Sequence, residues 1–327
     1  MIIRKRIWPR TLSDFFSMTF ILIIIPVIYW FELWVVLPAV HKYGSLPYIL
    51  HFFFGNFIML NIVGNFTYIV FCDTSTRRDI MPISAANTKD GWRLCASCET
   101  LAPPRSWHCS TCNICILKRD HHCIFTGCCI GHYNHRYFIM FVVYLFVATT
   151  YSFCYNNFFI WNKMHFEFPM SLIKIIFPLA IFIFGFDDSI NQFYLILYIV
   201  SAVGMLYTGV LCIYHFCLIF NGNVANESWK QNLKEVLGDR WYLTWILPYI
   251  KSQLPHNGII WDTSNSWLYT NSKNATYNTT QMLMSKIVKS HPVFLLFVYL
   301  LSTSLSCLIF SLLLLLPLLF LCVLTES

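Results

Sequence analysis

Charge is what this sequence has least of. Only 11% of its 327 residues are Asp, Glu, Lys or Arg, while 57% are hydrophobic. Soluble domains carry about 25% charged residues, so a water-soluble globular domain is excluded and a chain built for a bilayer is expected. A basic stripe is also missing. The formal net charge is +7, but the Lys and Arg residues flank apolar runs instead of gathering on one face, which removes nucleic acid from the expected partners. No small-residue cleavage site follows the N-terminal MIIRKRIWPR, so the first apolar run is read as a retained anchor and not a cleaved signal. A terminal Lys-Asp-Glu-Leu retrieval signal is lacking as well.

What is present, first, is a series of apolar runs near or above the ~20 residues that cross a bilayer. Four are expected to span it: residues 16–40, which contain Pro26 and Glu32, then 46–71, 137–161 and 193–220. Glu32 is expected to face the helix bundle or snorkel. The stretch 170–185 is short and interrupted, and is read either as a lumenal or interfacial segment or as a full crossing. Residues 293–324 are apolar apart from the break at Pro317, long enough for an additional span. Arg4, Lys5, Arg6 and Arg10 precede the first span, which by the positive-inside rule puts the N-terminus in the cytosol. Two crossings return the chain there at Cys72. Residues 73–136, with Arg77, Arg78, Lys89, Arg93, Arg105, Lys118, Arg119 and Arg136, are then cytosolic. Lys230, Lys234, Arg240 and Lys251 favour the cytosol after the fourth span as well, whereas the sequons at Asn274 and Asn278 argue weakly for the lumen.

Second comes a dense cluster. Between Cys95 and Cys129, 35 residues hold eight Cys and three His, in the order Cys95-x2-Cys98-x9-His108-Cys109-x2-Cys112-x2-Cys115-x4-Asp120-His121-His122-Cys123-x5-Cys129. Tetrahedral zinc takes four Cys or His ligands, often through Cys-x2-Cys pairs. Two such sites absorb eight ligands and leave groups over, which read as Asp120, His121 and Cys123. A spare cysteine beside metal sites invites thiol chemistry. The centre of a RING domain, Cys-x-His-x2-Cys with long flanking loops, does not occur, which argues against a ubiquitin ligase.

The Cys-x2-Cys opening, Pro104-Arg105-x2-His108-Cys109, Cys112-x2-Cys115, Asp120-His121-His122-Cys123 and Gly131-x2-Asn134 together resemble the cysteine-rich domain of the DHHC family of protein S-acyltransferases, the palmitoyltransferases. The resemblance implies two structural Zn2+ ions, one on Cys95, Cys98, His108 and Cys115, the other on Cys109, Cys112, His122 and Cys129. It makes Cys123 the nucleophile, His121 its base and Asp120 the group that orients His121. The implied donor is long-chain acyl-CoA and the acceptors are membrane-associated proteins with cytosolic cysteines. Lys118, Arg119 and Arg105 are candidate contacts for the polyanionic CoA, with ordinary juxtamembrane charge as the plainer reading. A Golgi or endoplasmic reticulum membrane is the family-based expectation, with the active site facing the cytosol. The alternative function is a catalytically inactive zinc-bearing membrane adaptor.

The expected architecture is an all-α polytopic membrane protein. A four-helix transmembrane core carries a cytosolic zinc-stabilised cysteine-rich domain between spans 2 and 3, with an extra C-terminal span as an option. The segments are 1–72, 73–136, 137–220, 221–292 and 293–327. Several positions depart from the family pattern. Ile124-Phe125 replaces Pro-Trp, which loosens the backbone after the nucleophile, and Gly127-Cys128 replaces Asn-Asn, which offers Cys128 as a rival ligand or acylation site. The Thr-Thr-x-Glu motif is reduced to Glu227. Beyond it, an amphipathic helix against the membrane is expected, with Asn232 as its brace.

Overall fold

Within hydrocarbon a backbone must satisfy its own N–H and C=O groups, so long apolar runs fold as helices. The computed structural model describes residues 2–76, 92–163, 167–187, 189–221 and 229–259. Four helical rods in it are long and apolar enough to cross a membrane: Leu12–Val40, Leu46–Phe71, His135–Lys163 and Ile190–Phe220. The shortest has 26 residues, which at 1.5 Å per residue is about 39 Å and exceeds the hydrocarbon thickness. Large apolar side chains such as Phe53, Trp34 and Ile213 point outward and lie exposed, a surface suited to lipid and not to water.

The first rod is composite. Helix α1 (Leu12–Phe31) starts at Thr11, whose side chain accepts the Asp14 N–H, and holds Pro26 inside it. A π-helical turn, Glu32–Val36, and the short α2 (Leu37–Val40) complete the rod. Helix α3 (Leu46–Phe71) is capped by Ser45 with Pro47 in its first turn, where a missing N–H costs nothing. Helix α4 (His135–Lys163) is the most enclosed span. It packs against α3 on one side and α7 (Ile190–Asn221) on the other.

The π turn aims Glu32 into the bundle, where it is buried. There it accepts a hydrogen bond from the Ser152 hydroxyl of α4. Ser152 Oγ also accepts from Asn156 Nδ2 at 3.0 Å and lies 3.1 Å from Ser201 Oγ of α7. One polar ladder therefore ties three spans together at a depth where an unpaired polar group is expensive. Of the two readings of Glu32, the structure takes the one that faces the bundle.

Residues 170–185 form two short helices, α5 (Met170–Ile176) and α6 (Pro178–Ile183). Phe177, held out of helical geometry before Pro178, breaks the run. Lys174 Nζ closes the segment on Asp187 Oδ2 at 2.6 Å. Neither helix has the length to cross.

The cysteine-rich segment departs from the all-α expectation. It folds as three two-stranded antiparallel hairpins: β1 (Arg93–Cys95) with β2 (Thr100–Ala102), β3 (Trp107–Cys109) with β4 (Ile114–Ile116), and β5 (His121–Cys123) with β6 (Cys128–Ile130). Ligand-dense Cys-x2-Cys turns are too tight and too poor in apolar side chains for a helix. Helix α8 (Trp229–Leu237) buries Leu233, Val236 and Leu237, and Asn232 Nδ2 donates to the Phe220 carbonyl at 3.5 Å, so Asn232 joins this helix to the end of α7. The following segment returns to the core. Tyr144 donates to the Trp245 carbonyl, and Pro248 lies so close to α3 that a Cβ on Gly64 would come within 2.5 Å of it. Glu227, the sequons and the run 293–324 lie outside the described residues.

Replacing Ser152 by Ala strands Glu32 and Asn156 together. The expected cost is about 1 kcal/mol or more, read as a lower unfolding temperature in detergent. Thr67→Ala, which removes an exposed hydroxyl bonded only to its own helix, is the near-neutral control. Equal losses in the two variants would refute the ladder.

Candidate active site and metal centres

The three hairpins repeat one local geometry. In the first, Cys95-x2-Cys98 is followed by Glu99 at φ +52°. In the second, Cys109-x2-Cys112 is followed by Asn113 at φ +49°, and in the third Cys123-x2-Thr126 is followed by Gly127 at φ +58°. The first Cys of each pairs across the hairpin with the residue five positions on: Cys95 with Thr100, Cys109 with Ile114 and Cys123 with Cys128. Cys123 thus occupies the place of a metal ligand, but Thr126 stands where the second thiol would be. The third turn keeps the shape of a metal knuckle without the ligand set.

Side chains alternate faces along a strand, and this sorts the adjacent residues. On β3, His108 turns to one group of sulfurs and Cys109 to the other. On β5, His122 turns to a sulfur group, leaving His121 and Cys123 together on the opposite face. Two groups result, Cys95, Cys98, His108 and Cys115, and Cys109, Cys112, His122 and Cys129, with the donor atoms of each within 4.8 Å of one another. His108 Nδ1 lies 3.2 Å from Cys98 Sγ and 3.7 Å from Cys95 Sγ. His122 Nδ1 lies 3.3, 3.6 and 3.7 Å from the sulfurs of Cys112, Cys129 and Cys109. The S···N edge of a tetrahedral zinc site is about 3.6 Å, given Zn–S near 2.3 Å and Zn–N near 2.05 Å, so both groups have the spacing to hold such an ion.

Asp14 was not legible as a site residue. It sits in the first turn of α1, almost wholly buried, and its Oδ1 lies 3.2 Å from His122 Nε2. A carboxylate on the far nitrogen of a metal-binding imidazole fixes its tautomer and raises its basicity. A membrane span therefore reaches into the second metal group. The available signal was an acidic residue at the head of an apolar run, which a helix N-terminus alone also explains.

On the other face of β5, Asp120 Oδ2 lies 2.8 Å from His121 Nδ1. That leaves Nε2 as the nitrogen available to the Cys123 thiol, which shares this face of the strand. Burial alone would push the Cys123 thiol up, but its neighbours His121 and Thr126 outweigh it and hold the thiol below its ordinary value. The Thr126 N–H and hydroxyl both donate to the Cys123 carbonyl, at 3.3 and 3.4 Å, and so close the turn. Burial would likewise lower His121, yet its bond to Asp120 and the nearby Cys123 sulfur raise it to about 9. Asp120 is pulled the other way: its own desolvation is overcome by His121, with His135 and His215 adding to the effect, and its carboxyl stays well below the usual range. Both shifts run the same way, toward a Cys123 thiolate paired with a protonated His121. Phe138 packs edge-on against His121, with ring centroids 4.9 Å apart.

Cys128 lies across from Cys123 on β6 but on the opposite face from Cys129. It is buried, donates to the Ile69 carbonyl at 3.6 Å, and burial pushes its thiol up to about 11. It is not among the residues grouped around either metal position. The turn after Cys123 closes without the family's proline, because Gly127 adopts the left-handed conformation it needs. Of the candidate CoA contacts, Lys118 pairs with Glu235 of α8 at 3.7 Å. Arg119 lies near the sulfurs of Cys129 and Cys109, which offset its burial and favour its charged form, and the Arg105 carbonyl accepts the Arg119 N–H at 3.2 Å. Gly131-x2-Asn134 is a joint: Asn134 Oδ1 accepts the Gly131 N–H at 2.8 Å, and its amide donates to the carbonyls of Cys129 at 3.0 Å and Ile69 at 3.5 Å.

A family model described as DHHC palmitoyltransferase matches residues 88–232. The curated relatives include "Probable palmitoyltransferase ZDHHC24" of Danio rerio, 30% identical over 221 residues, 64% of this chain and 74% of that one. The protein of the same name from Mus musculus is 27% identical over 243 residues, 69% of this chain and 83% of its own. "Palmitoyltransferase ZDHHC16" of Mus musculus is 27% identical over 262 residues, 69% and 68% of the two chains.

Asp14→Asn keeps the shape of the side chain and removes its charge. It is expected to weaken metal retention by the second group about 10–100-fold and leave the first unchanged. Competition with a graded series of chelators, counting metal released per protein, measures this. Equal weakening of both groups would assign Asp14 to general folding instead.

Proposed function

The chain belongs to the DHHC palmitoyltransferase family and is a protein S-palmitoyltransferase, and from that premise we propose that it works through an acyl-enzyme on Cys123. The observation that carries this reading is the Asp120–His121 contact at 2.8 Å, with Cys123 on the same face of β5 as His121, turned away from the metal group. The Cys123 thiolate attacks the thioester carbonyl of a long-chain acyl-CoA. A carbon–sulfur bond to Cys123 forms, the bond to CoA breaks, and the His121 imidazolium supplies the proton to the departing thiolate. In the second half, His121 takes the proton of the acceptor cysteine. That sulfur attacks the acyl-enzyme, and Cys123 leaves as the thiolate.

Each metal group would hold one Zn2+ with three sulfurs and one nitrogen, a closed set with no position for water, so its contribution is to clamp the hairpins. A tail of about 15 CH2 groups resists exposure to water by on the order of 12 kcal/mol, so the thioester must be met at the membrane surface. Cys123 is placed for that, 12 residues before the start of α4 at His135. An apolar cavity of about 90 Å³ among α1, α3 and α4, lined by Ile25, Ile58, Ile62 and Leu145 and reaching Glu32 and Ser152, offers space for tail carbons. Lys118 and Arg105, with Arg119 behind them, are the cations proposed for the CoA phosphates. The acceptors are membrane-apposed proteins with cytosolic cysteines, and the compartment is a Golgi or endoplasmic reticulum membrane with the site on its cytosolic face.

Purified protein given a labelled long-chain acyl-CoA is expected to carry hydroxylamine-sensitive label. Cys123→Ser loses it at unchanged zinc content, and Cys128→Ser retains it. His121→Ala slows labelling at least about 100-fold. Label that survives Cys123→Ser would move the nucleophile elsewhere. No label on wild type at full zinc, with and without a partner subunit, would favour a zinc-bearing adaptor.

A further inference from the structure

Asp120 serves more than His121. It leads into β5 with its N–H bonded to the Ile130 carbonyl at 2.9 Å, and two more imidazoles converge on it from separate spans. His135 is the first residue of α4, and His215 lies near the end of α7. One donor atom from each of Asp120, His135 and His215 falls within 4.8 Å of the other two. His135 Nε2 is buried and has no hydrogen-bond partner among the described residues. His215 is buried as well, while the Asp120 side chain is 32% exposed, so the group opens toward solvent on one side.

We propose that Asp120, His135 and His215 form a third metal site, for a borderline divalent ion such as Zn2+, and that filling it slows acyl transfer. Two imidazoles and one carboxylate with an open side match the three-ligand sets that bind such ions and keep a position for water. Ligand atoms on one zinc stand about 3.4 Å apart, so rotation of the two imidazole side chains by roughly an ångström closes the group. The site differs in kind from the two sulfur groups, which are closed and held in the hairpins. This one is open, has no sulfur, and joins the hairpins to α4 and α7.

Its consequence runs through the shared carboxylate, and to that extent rests on the Asp120–His121–Cys123 reading. A cation on Asp120 cancels the negative charge that orients His121 and stabilises its protonated form. The Cys123 thiol then loses its proton acceptor and stays protonated.

The test uses full-length protein equilibrated with a small excess of Zn2+, desalted and analysed for bound metal. Wild type and Cys123→Ser are expected to hold three ions per chain. His215→Gln and His135→Gln should hold two, which also shows that each variant retains its structural pair. The excess Zn2+ should slow acyl transfer by wild type at least tenfold and leave each His variant at its own metal-free rate. Two ions on wild type would overturn the site, as would a third ion that persists in both His variants or vanishes in Cys123→Ser. A third ion that leaves the rate unchanged would overturn the inhibition. Metal counting does not depend on turnover, so an enzyme found inactive without added metal would refute the proposed mechanism and leave the site to be judged by its ions.

Discussion

Three residues of one strand, His121, His122 and Cys123, must serve two opposite faces, and the period-two alternation of an extended backbone lets them do so. His122 is committed to the sulfurs behind the strand, and His121 and Cys123 share the front. A helix over the same residues would spread them over about 200°, turn His121 away from Cys123, and lose both arrangements. The hairpin is therefore the condition for the site. The hairpin depends in turn on the metal group beneath it, because three-residue strands bury too little to hold themselves. The third turn shows how reactivity arises from a structural motif. It repeats the two metal knuckles but has Thr126 in place of the second thiol, so Cys123 is left outside both ligand sets.

The membrane spans act on this site as more than an anchor. Asp14 of α1 backs His122, the Ile69 carbonyl of α3 accepts from Asn134 and Cys128, and α4 begins four residues after Gly131. The N-terminal arm adds a further tie, with the Arg4 N–H bonded to the Phe71 carbonyl at 2.8 Å and its guanidinium to the Gly127 carbonyl at 3.3 Å. Together these contacts tie the spans to the hairpins, some directly and some through the N-terminal arm. The Cys123 thiol is thus fixed relative to the helix ends, as the proposed chemistry on a tail in the bilayer requires.

The spans were legible because hydrocarbon admits few solutions and composition reports them directly. The metal character of the cysteine-rich segment was legible because ligand spacing is a strong local code, while the division of its residues between two sites came from the family resemblance. Secondary structure within that segment was not, since three-residue strands closed by metal turns carry no hydrophobic period, and an all-α expectation missed them. Asp14, His135 and His215 escaped for another reason. Each owes its significance to a neighbour more than 10 residues away, and a lone polar residue at the edge of an apolar run looks the same whether or not that neighbour exists. Cys128 was ambiguous beside Cys129 in sequence, and strand alternation separates the two.

Glu32 bears on how the chain is made. Its partner Ser152 lies 120 residues further along, and at a synthesis rate of about 5–20 residues per second the wait is on the order of 10 s. For that interval the first span must reside in the membrane with a carboxyl group that has no partner from a later helix, at an insertion cost of a few kcal/mol. Assembly of the bundle is thereby ordered in time. The first span stays provisional until the third arrives, and the hydroxyl of Ser152 is what converts a tolerated insertion into a settled one.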